Sequence, residues 1–186
     1  MIASTATRHR WEDRAGFAWG LGESVVFFVI PDVFLTLLAV RFGARRALRP
    51  AILATVGAVL GGMLVYSWAS WHPSSAFGAM EALPGIDTTM VDMVRGDVAA
   101  HGNMALLAGP WQGRPYKLFA AASGELDLSL VGLVLLTIPG RLGRFLLSVS
   151  VAAYSRSLVA GRIPAHAMIV LWAGFWLLVY AGYWFG

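Results

Sequence analysis

The hydrophobic and polar positions divide this 186-residue chain into long apolar stretches separated by charged segments. Residues 51–71 are uninterrupted and apolar, with Gly57 and Gly61 at a helix-packing spacing and aromatic residues at the end, where helices meet the membrane surface. Residues 165–186 are also apolar and rich in Trp and Tyr. Each stretch has the roughly 20 residues that a helix needs to cross the hydrocarbon core. The pattern therefore predicts two uninterrupted transmembrane helices.

The first apolar stretch, residues 16–40, does not fit a simple crossing. It contains Glu23, Pro31 and Asp32, and charged groups are costly in lipid. Arginines flank it on both sides, and positively charged loops tend to stay in the cytoplasm. Both of its ends are therefore expected on the cytoplasmic side, after a cytoplasmic N-terminal segment 1–15. The stretch is predicted to be a re-entrant hairpin or two short helices, with Pro31 as the break between its halves.

Residues 72–103 form a polar segment whose charges are mostly acidic, as expected on the non-cytoplasmic side. Two interpretations of this segment stay open. Residues 86–101 have the pattern of an amphipathic helix that lies on the membrane surface. The segment is equally compatible with a solvated loop.

Residues 104–139 are apolar but broken, as the first stretch is. The break contains Gly113, Arg114 and Pro115, and Lys117 follows closely. Because irregular backbone and charge are tolerated at membrane depth only when buried in protein or facing water, this region is predicted to be a second re-entrant segment.

The chain then returns to a helical pattern. A helix that begins near residue 126 would continue through 140–155, where Arg141 and Arg144 share one face because they lie three positions apart. The arginines that follow this helix mark a return to the cytoplasm before the last crossing. This order of crossings predicts a C-terminus on the outside.

The two halves of the chain share a plan, in which a proline-broken, charged apolar segment precedes a more regular helix. Paired interrupted segments of this sort point to the binding site in transporters built from inverted repeats. The predicted fold is an all-α integral membrane protein, an inverted-repeat bundle with two opposed re-entrant helical hairpins and about three to four transmembrane helices. The alternative is that both breaks are only kinks.

Composition supports a single membrane domain over residues 1–186. Hydrophobic residues make up 58% of the chain and charged residues 13%, far below the roughly 25% charged residues of soluble domains. The net charge of +4 comes from arginines, with Lys117 the only lysine. In a membrane protein such a surplus indicates orientation and anionic lipid rather than nucleic acid. Without cysteine, the chain has neither disulfides nor thiolate metal sites.

Ionisable groups inside apolar stretches are the candidate functional residues, because they normally face a partner or a water-filled cavity. A broken helix also exposes free backbone groups, which together with arginine can bind a phosphate or carboxylate. One hypothesis is an anion-accepting cavity with acidic counter-charges or proton carriers. The other is a set of internal salt bridges that only hold helices together. The basic candidates are Arg114, Lys117, Arg141 and Arg144, and the acidic ones are Glu23 and Asp32.

Sequence motifs of enzymes are mostly absent. The histidines lack metal-ligand spacing, and there is no P-loop and no Gly-x-Ser-x-Gly. Ser123 and His166 could imitate a serine–histidine dyad, although Ser123 followed by glycine is more typical of helix packing. We expect no enzymatic activity, no cofactor and no metal.

The second half of the chain resembles the DedA or VTT-domain (SNARE-associated-type) membrane proteins, especially their YqaA-like branch. The resemblance lies in the segment from Gly113 to Gly124, with Pro-x-Lys-x-Phe before a run of small residues, and in the Gly-Arg-x-x-Arg-Phe that begins at Gly140. The first half agrees more loosely, because the family's Pro-Gly-Glu appears here as Pro31-Asp32. The resemblance covers about residues 16–155.

The resemblance implies two re-entrant hairpins that point at each other, with the hairpin breaks at Pro31, Gly113 and Pro115. It also implies that the protein moves lipids between leaflets, with proton dependence in bacteria. Arg141 and Arg144 match the family's arginine pair, and Lys117 lies near its basic hairpin position.

The functional expectation is a lipid translocase or scramblase, flippase-like, in a bacterial inner membrane. Its partners would be membrane lipids, either an anionic phospholipid or a polyprenyl phosphate, and no nucleic acid. Two alternatives stay open, a proton-coupled transporter of a small solute and a non-transporting membrane scaffold. Whether the protein forms a homo-oligomer also stays open.

Overall fold

The computed structural model describes residues 3–185, which form helices and turns and no strand. Residues 1, 2 and 186, at the ends of the predicted N-terminal segment and last helix, lie outside the described residues. The helices in chain order are α1 (Ala3–Val25), α2 (Pro31–Phe42), α3 (Ala44–Trp71), α4 (Pro73–Glu81), α5 (Thr88–His101), α6 (Ala105–Ala108), α7 (Tyr116–Glu125), α8 (Leu130–Val159) and α9 (Ala165–Phe185). Turns of 3-10 helix at Gly102–Met104 and Gly109–Gln112 flank α6.

Three of these helices, α3, α8 and α9, are long and apolar enough to cross a membrane. This confirms the prediction of an all-α protein, and it identifies three candidate membrane-spanning helices among the described residues. The helix predicted at 51–71 begins seven residues earlier, at Ala44, and contains Pro50. The helix α8 is continuous through Pro139, so residues 130–139 belong to the helix of the arginine pair and not to the second broken region.

Helix α1 packs along α3 through small residues. A methyl group on Gly20 would overlap the carbonyl of Ala54, and one on Gly57 would overlap the carbonyl of Phe17, so the two backbones are in direct contact. Such close approach is how helices associate where lipid removes the hydrophobic driving force. In the first turn of α3, Arg46 pairs at 2.8 Å with Glu12, which lies near the middle of α1.

Helix α2 returns toward the start of α3. The chain breaks at residues 26–30, and Pro31 is the first residue of α2, a position where its fixed φ and missing N–H cost nothing. The proline therefore starts the second half of the pair and does not itself form the turn. Phe34, Leu38 and their neighbours pack on the first half of α3. Helix α2 ends at Phe42, and Gly43 alone joins it to the start of α3.

The polar segment 72–103 forms α4 and α5, not a solvated loop. On α5, Val91, Val94 and Val98 are buried, and the opposite face is exposed. Asp87 caps this helix by accepting a hydrogen bond of 2.7 Å from the backbone N–H of Met90.

The second broken region lies along the first part of α8. It begins beside the start of α8, follows α8 toward its middle, and then reverses direction as α7. Asn103 donates to the carbonyl of Ser129, at the beginning of α8. Tyr116, the first residue of α7, lies within 2.9 Å of the Thr137 hydroxyl, farther along α8. Helix α7 then returns against α3, where Gly124 lies against the carbonyl of Tyr66.

The two ends of the bundle carry different charges. Near the end of α9, the Tyr183 hydroxyl donates a hydrogen bond to the carbonyl of Gly85, which follows α4. The end of α9 therefore lies beside the segment that follows α4. That end of the bundle carries the acidic residues of α4 and α5. Arginines concentrate at the other end, where α1 and α3 begin and α2 and α8 finish. The arginines of this basic end are Arg10, Arg14, Arg41, Arg45, Arg46, Arg49, Arg156 and Arg162.

Candidate functional site

The tips of the two broken regions meet in the middle of the bundle. Lys117, in the first turn of α7, donates a hydrogen bond of 2.7 Å to the main-chain carbonyl of Phe27, between α1 and α2. Lys117 is 1% exposed. Among the described residues, the helix break leaves the carbonyls of Phe27 and Val29 and the N–H of Ile30 without backbone partners. Side chains from other elements bind them: Trp19 donates to the carbonyl of Val29, and the Tyr180 hydroxyl accepts from the N–H of Ile30.

Glu23 and Arg141 form a buried ion pair beside this meeting point. Glu23 lies in the last turn of α1, and Arg141 lies in the middle of α8. The Arg141 guanidinium stacks over the ring of Tyr116, with 4.8 Å to its centroid, and over the ring of Phe145 at 5.4 Å. Ion pairing and cation–π contact offset the cost of burying this charge.

Asp32 and Arg144 form a second ion pair one helical turn away. Arg144 donates to Asp32 at 2.8 Å, and the Ser148 hydroxyl donates to the other carboxylate oxygen at 2.7 Å. Asp32 follows Pro31 in the first turn of α2, where the helix dipole favours a negative charge. The side chain of Asp32 is buried and that of Arg144 is partly exposed.

Arg114 lies at the tip of the second broken region and pairs with Asp97 of α5. A neighbouring ion pair joins Arg95 to Glu125 at 2.8 Å. These two ion pairs attach α5 to the chain at both ends of α7. Arg114 therefore has a structural partner, Asp97, that does not line the cavity.

A cavity of about 180 Å³ brings most of the predicted site residues together. Five of the six charged candidates line it. The sixth, Asp32, does not line the cavity but is paired with Arg144, which does. The predicted breaks at Gly113 and Pro115 line it too, whereas Pro31 does not. The charged residues of the lining are Glu23, Arg114, Lys117, Arg141 and Arg144.

The basic side chains of the cavity differ in their partners. Each of the three arginines pairs with a carboxylate. Among the described residues, Lys117 has no carboxylate within salt-bridge distance. Its ammonium group has three donors, and its hydrogen bond to Phe27 accounts for one. The cavity therefore holds a cation that can accept an anion without first breaking an ion pair.

Helix α9 contributes residues that the sequence analysis did not assign to the site. Val179, Tyr180 and Tyr183 line the cavity, and Trp172 and Trp176 each donate to the Thr36 hydroxyl at 3.0 Å. A signal was present in the sequence, because Trp172, Trp176 and Tyr180 recur every four residues and so lie on one helical face.

Ser123 and His166 are not brought together. Ser123 is buried in α7, near the acidic end, and His166 is exposed at the start of α9, near the basic end. Within the described part of the chain, no group of three or more His, Asp or Glu residues is arranged to hold a metal ion.

Comparison of the sequence with protein-family models, with curated proteins and with solved structures gave no match. The resemblance to the DedA proteins therefore stays a prediction.

Proposed function

We propose that this protein moves a phosphate-bearing lipid between the two leaflets of a bacterial inner membrane. The observation that carries the proposal is the buried Lys117 ammonium, which lacks a carboxylate partner and faces a cavity that also contains Arg141 and Arg144. A lipid phosphate would bind Lys117 first and then compete with Asp32 for Arg144, whose planar fork suits a phosphate.

In this proposal α1–α2 and the Gly102–Glu125 region are two re-entrant hairpins that enter from opposite faces. The contact between Lys117 and Phe27 supports it, because it joins the two tips near the middle of α8. The basic end of the bundle would face the cytoplasm, following the distribution of arginine. In that orientation the N-terminus is cytoplasmic and the C-terminus is outside.

The position of α9 supports a lipid rather than a water-soluble substrate. Val179, Tyr180 and Tyr183 line the cavity, while Leu177 and Leu178 on the other face are 72% and 76% exposed. A single helix thus separates the cavity from the hydrocarbon on this side. A headgroup could occupy the cavity while the tails pass beside α9 in lipid.

Proteoliposomes test the proposal directly. The protein is reconstituted with a headgroup-labelled phosphatidylglycerol, and an outside-only quencher reports how much label becomes accessible. We expect the wild type to move the lipid and Lys117→Met to lose most of this activity. Arg45→Met, an exposed basic residue at the basic end, is the control and should keep it. Uptake of labelled inorganic phosphate without lipid movement would instead indicate a solute transporter.

A further inference from the structure

A second cavity lies between the charged site and the basic end of the bundle. It is a groove of about 530 Å³ between α2, α8 and α9, within the roughly 300–1,000 Å³ of small-molecule sites. Its walls are mainly apolar side chains that are themselves exposed, among them Leu147 and Val151 of α8 and Leu171 and Phe175 of α9. The groove is therefore open to the hydrocarbon.

The two ends of the groove have different chemistry. At the end near the charged site, Thr36 and Ser148 contact the main chain and the carboxylate of Asp32. At the other end lies Arg156, close to Gly43 in the turn between α2 and α3. Within the described residues, the Arg156 Nε is buried without a hydrogen-bond partner, and the side chain has no carboxylate within salt-bridge distance. An unpaired guanidinium at the end of an apolar groove is complementary to an amphiphile with an anionic headgroup.

The length of the groove matches one leaflet. From Leu147 to Val159 the axis of α8 advances about 18 Å, at 1.5 Å per residue. Half of the hydrocarbon core is about 15 Å thick. An acyl chain of the leaflet at the basic end would therefore fit along the groove, with its phosphate at the level of Arg156.

We propose that this groove is a binding site for an anionic phospholipid, with the phosphate on Arg156 and one acyl chain between α8 and α9. This goes beyond the proposed function, because the site requires that a lipid be bound and not that it be moved. Lipid bound there would also strengthen the attachment of α9, which otherwise contacts α2 chiefly through the Trp172 and Trp176 hydrogen bonds.

Native mass spectrometry of the full-length protein in detergent tests the site, with dioleoyl phosphatidylglycerol or dioleoyl phosphatidylcholine as the added probe. We expect the wild type to retain phosphatidylglycerol in preference to phosphatidylcholine. Val151→Trp, which fills the groove, should lower the retained lipid sharply. Arg156→Gln should lower it about tenfold, the effect of losing one charge-assisted hydrogen bond. Leu135→Trp, on an exposed part of α8 outside the groove, and Arg162→Gln are the matched controls.

The outcomes separate this site from the translocation proposal. Equal retention in the wild type, Val151→Trp and Arg156→Gln, all eluting as folded protein, would overturn the groove site. Equal retention of the two lipids would overturn the role of Arg156. In a Lys117→Met background, Val151→Trp and Arg156→Gln should lower phosphatidylglycerol retention by the same factors as in the wild-type background, because Lys117 is outside the groove. A wild type that retains lipid but moves none would contradict the proposed function and leave the groove site standing.

Discussion

The Lys117 ammonium donates a 2.7 Å hydrogen bond to the main-chain carbonyl of Phe27, 90 residues earlier in the chain. The carbonyl is available because α1 ends two residues before it. The lysine is present at the same depth because α7 begins in the middle of the bundle. One hydrogen bond thus joins the two broken regions and places a cation beside two arginine–carboxylate pairs.

Arg144→Lys tests whether the guanidinium fork matters beyond its charge. Lysine can keep an ion pair with Asp32 but offers no planar fork for a phosphate. We expect near-normal levels of folded protein and a loss of lipid movement of about tenfold or more, since one charge-assisted hydrogen bond is lost. Arg95→Lys is the control, because Arg95 also pairs with a carboxylate, Glu125, but lies outside the cavity. If Arg144→Lys moves lipid at the wild-type rate, then Arg144 has only a structural role.

Arg141→Lys tests the other member of the pair. Its guanidinium is buried against Glu23 and stacked on Tyr116 and Phe145, so lysine retains the charge but fits the stacked position poorly. We expect folded protein that moves lipid at less than about a tenth of the wild-type rate, the equivalent of one lost charge-assisted hydrogen bond. The proteoliposome assay and size-exclusion profiles measure the two effects separately.

Glu23→Gln leaves the Arg141 charge buried without a carboxylate. Breaking a buried pair from one side costs about 3–5 kcal/mol, so thermal unfolding in detergent should occur at a markedly lower temperature. The double variant Glu23→Gln/Arg141→Gln should recover much of this loss, because no unpaired charge remains. Glu125→Gln, in a more exposed ion pair, should change the unfolding temperature little. A double variant no more stable than the single one would show that the charges are not coupled.

Asp32→Asn tests proton coupling. In the proposed function Asp32 is the candidate proton carrier, because a lipid phosphate that binds Arg144 would leave the Asp32 carboxylate without its cation. The asparagine Oδ1 can still accept from Arg144, and its amide N–H can donate to the Ser148 hydroxyl oxygen, so the fold should be kept. We expect lipid movement that no longer responds to a pH gradient imposed across the liposome, whereas Glu125→Gln should respond as the wild type does. A normal response in Asp32→Asn would exclude Asp32 as the proton carrier.

Single cysteines test the topology, because the chain has none of its own. Cysteines at Arg10, Arg45 and Arg162, all at the basic end, should react with an impermeant thiol reagent only from the cytoplasmic side. A cysteine at Asp92, on the exposed face of α5, should react only from outside. Labelling of positions 10 and 45 from opposite sides would mean that α1–α2 is not re-entrant.

Much of the fold was predictable from local sequence. The apolar stretches around 51–71 and 165–185 are helices because a chain in lipid must satisfy its own backbone hydrogen bonds. Charged residues inside apolar segments marked the site for a related reason, since they are costly in lipid without a partner. Five of the six charged candidates line one cavity.

The sequence could not assign the ion pairs. From the sequence alone, Glu125 and Glu23 were equally plausible partners for the arginines of α8, but Glu125 pairs with Arg95. The partner of Arg144 is Asp32, which lies 112 residues away in the chain. Nor did the pattern show that α9 supplies Tyr180 and Tyr183 to the cavity.

The features that the sequence predicted differ from those that only the tertiary structure decided for a physical reason. Helix formation and membrane insertion depend on neighbouring residues and on the solvent, so a stretch of about 20 residues suffices to determine them. Pairing between distant side chains depends on how closely the helices approach and which faces they present. Here that is decided by small-residue contacts such as Gly20 on Ala54. These contacts determine the depth at which α1 ends, and so only the tertiary structure places Phe27 within reach of Lys117.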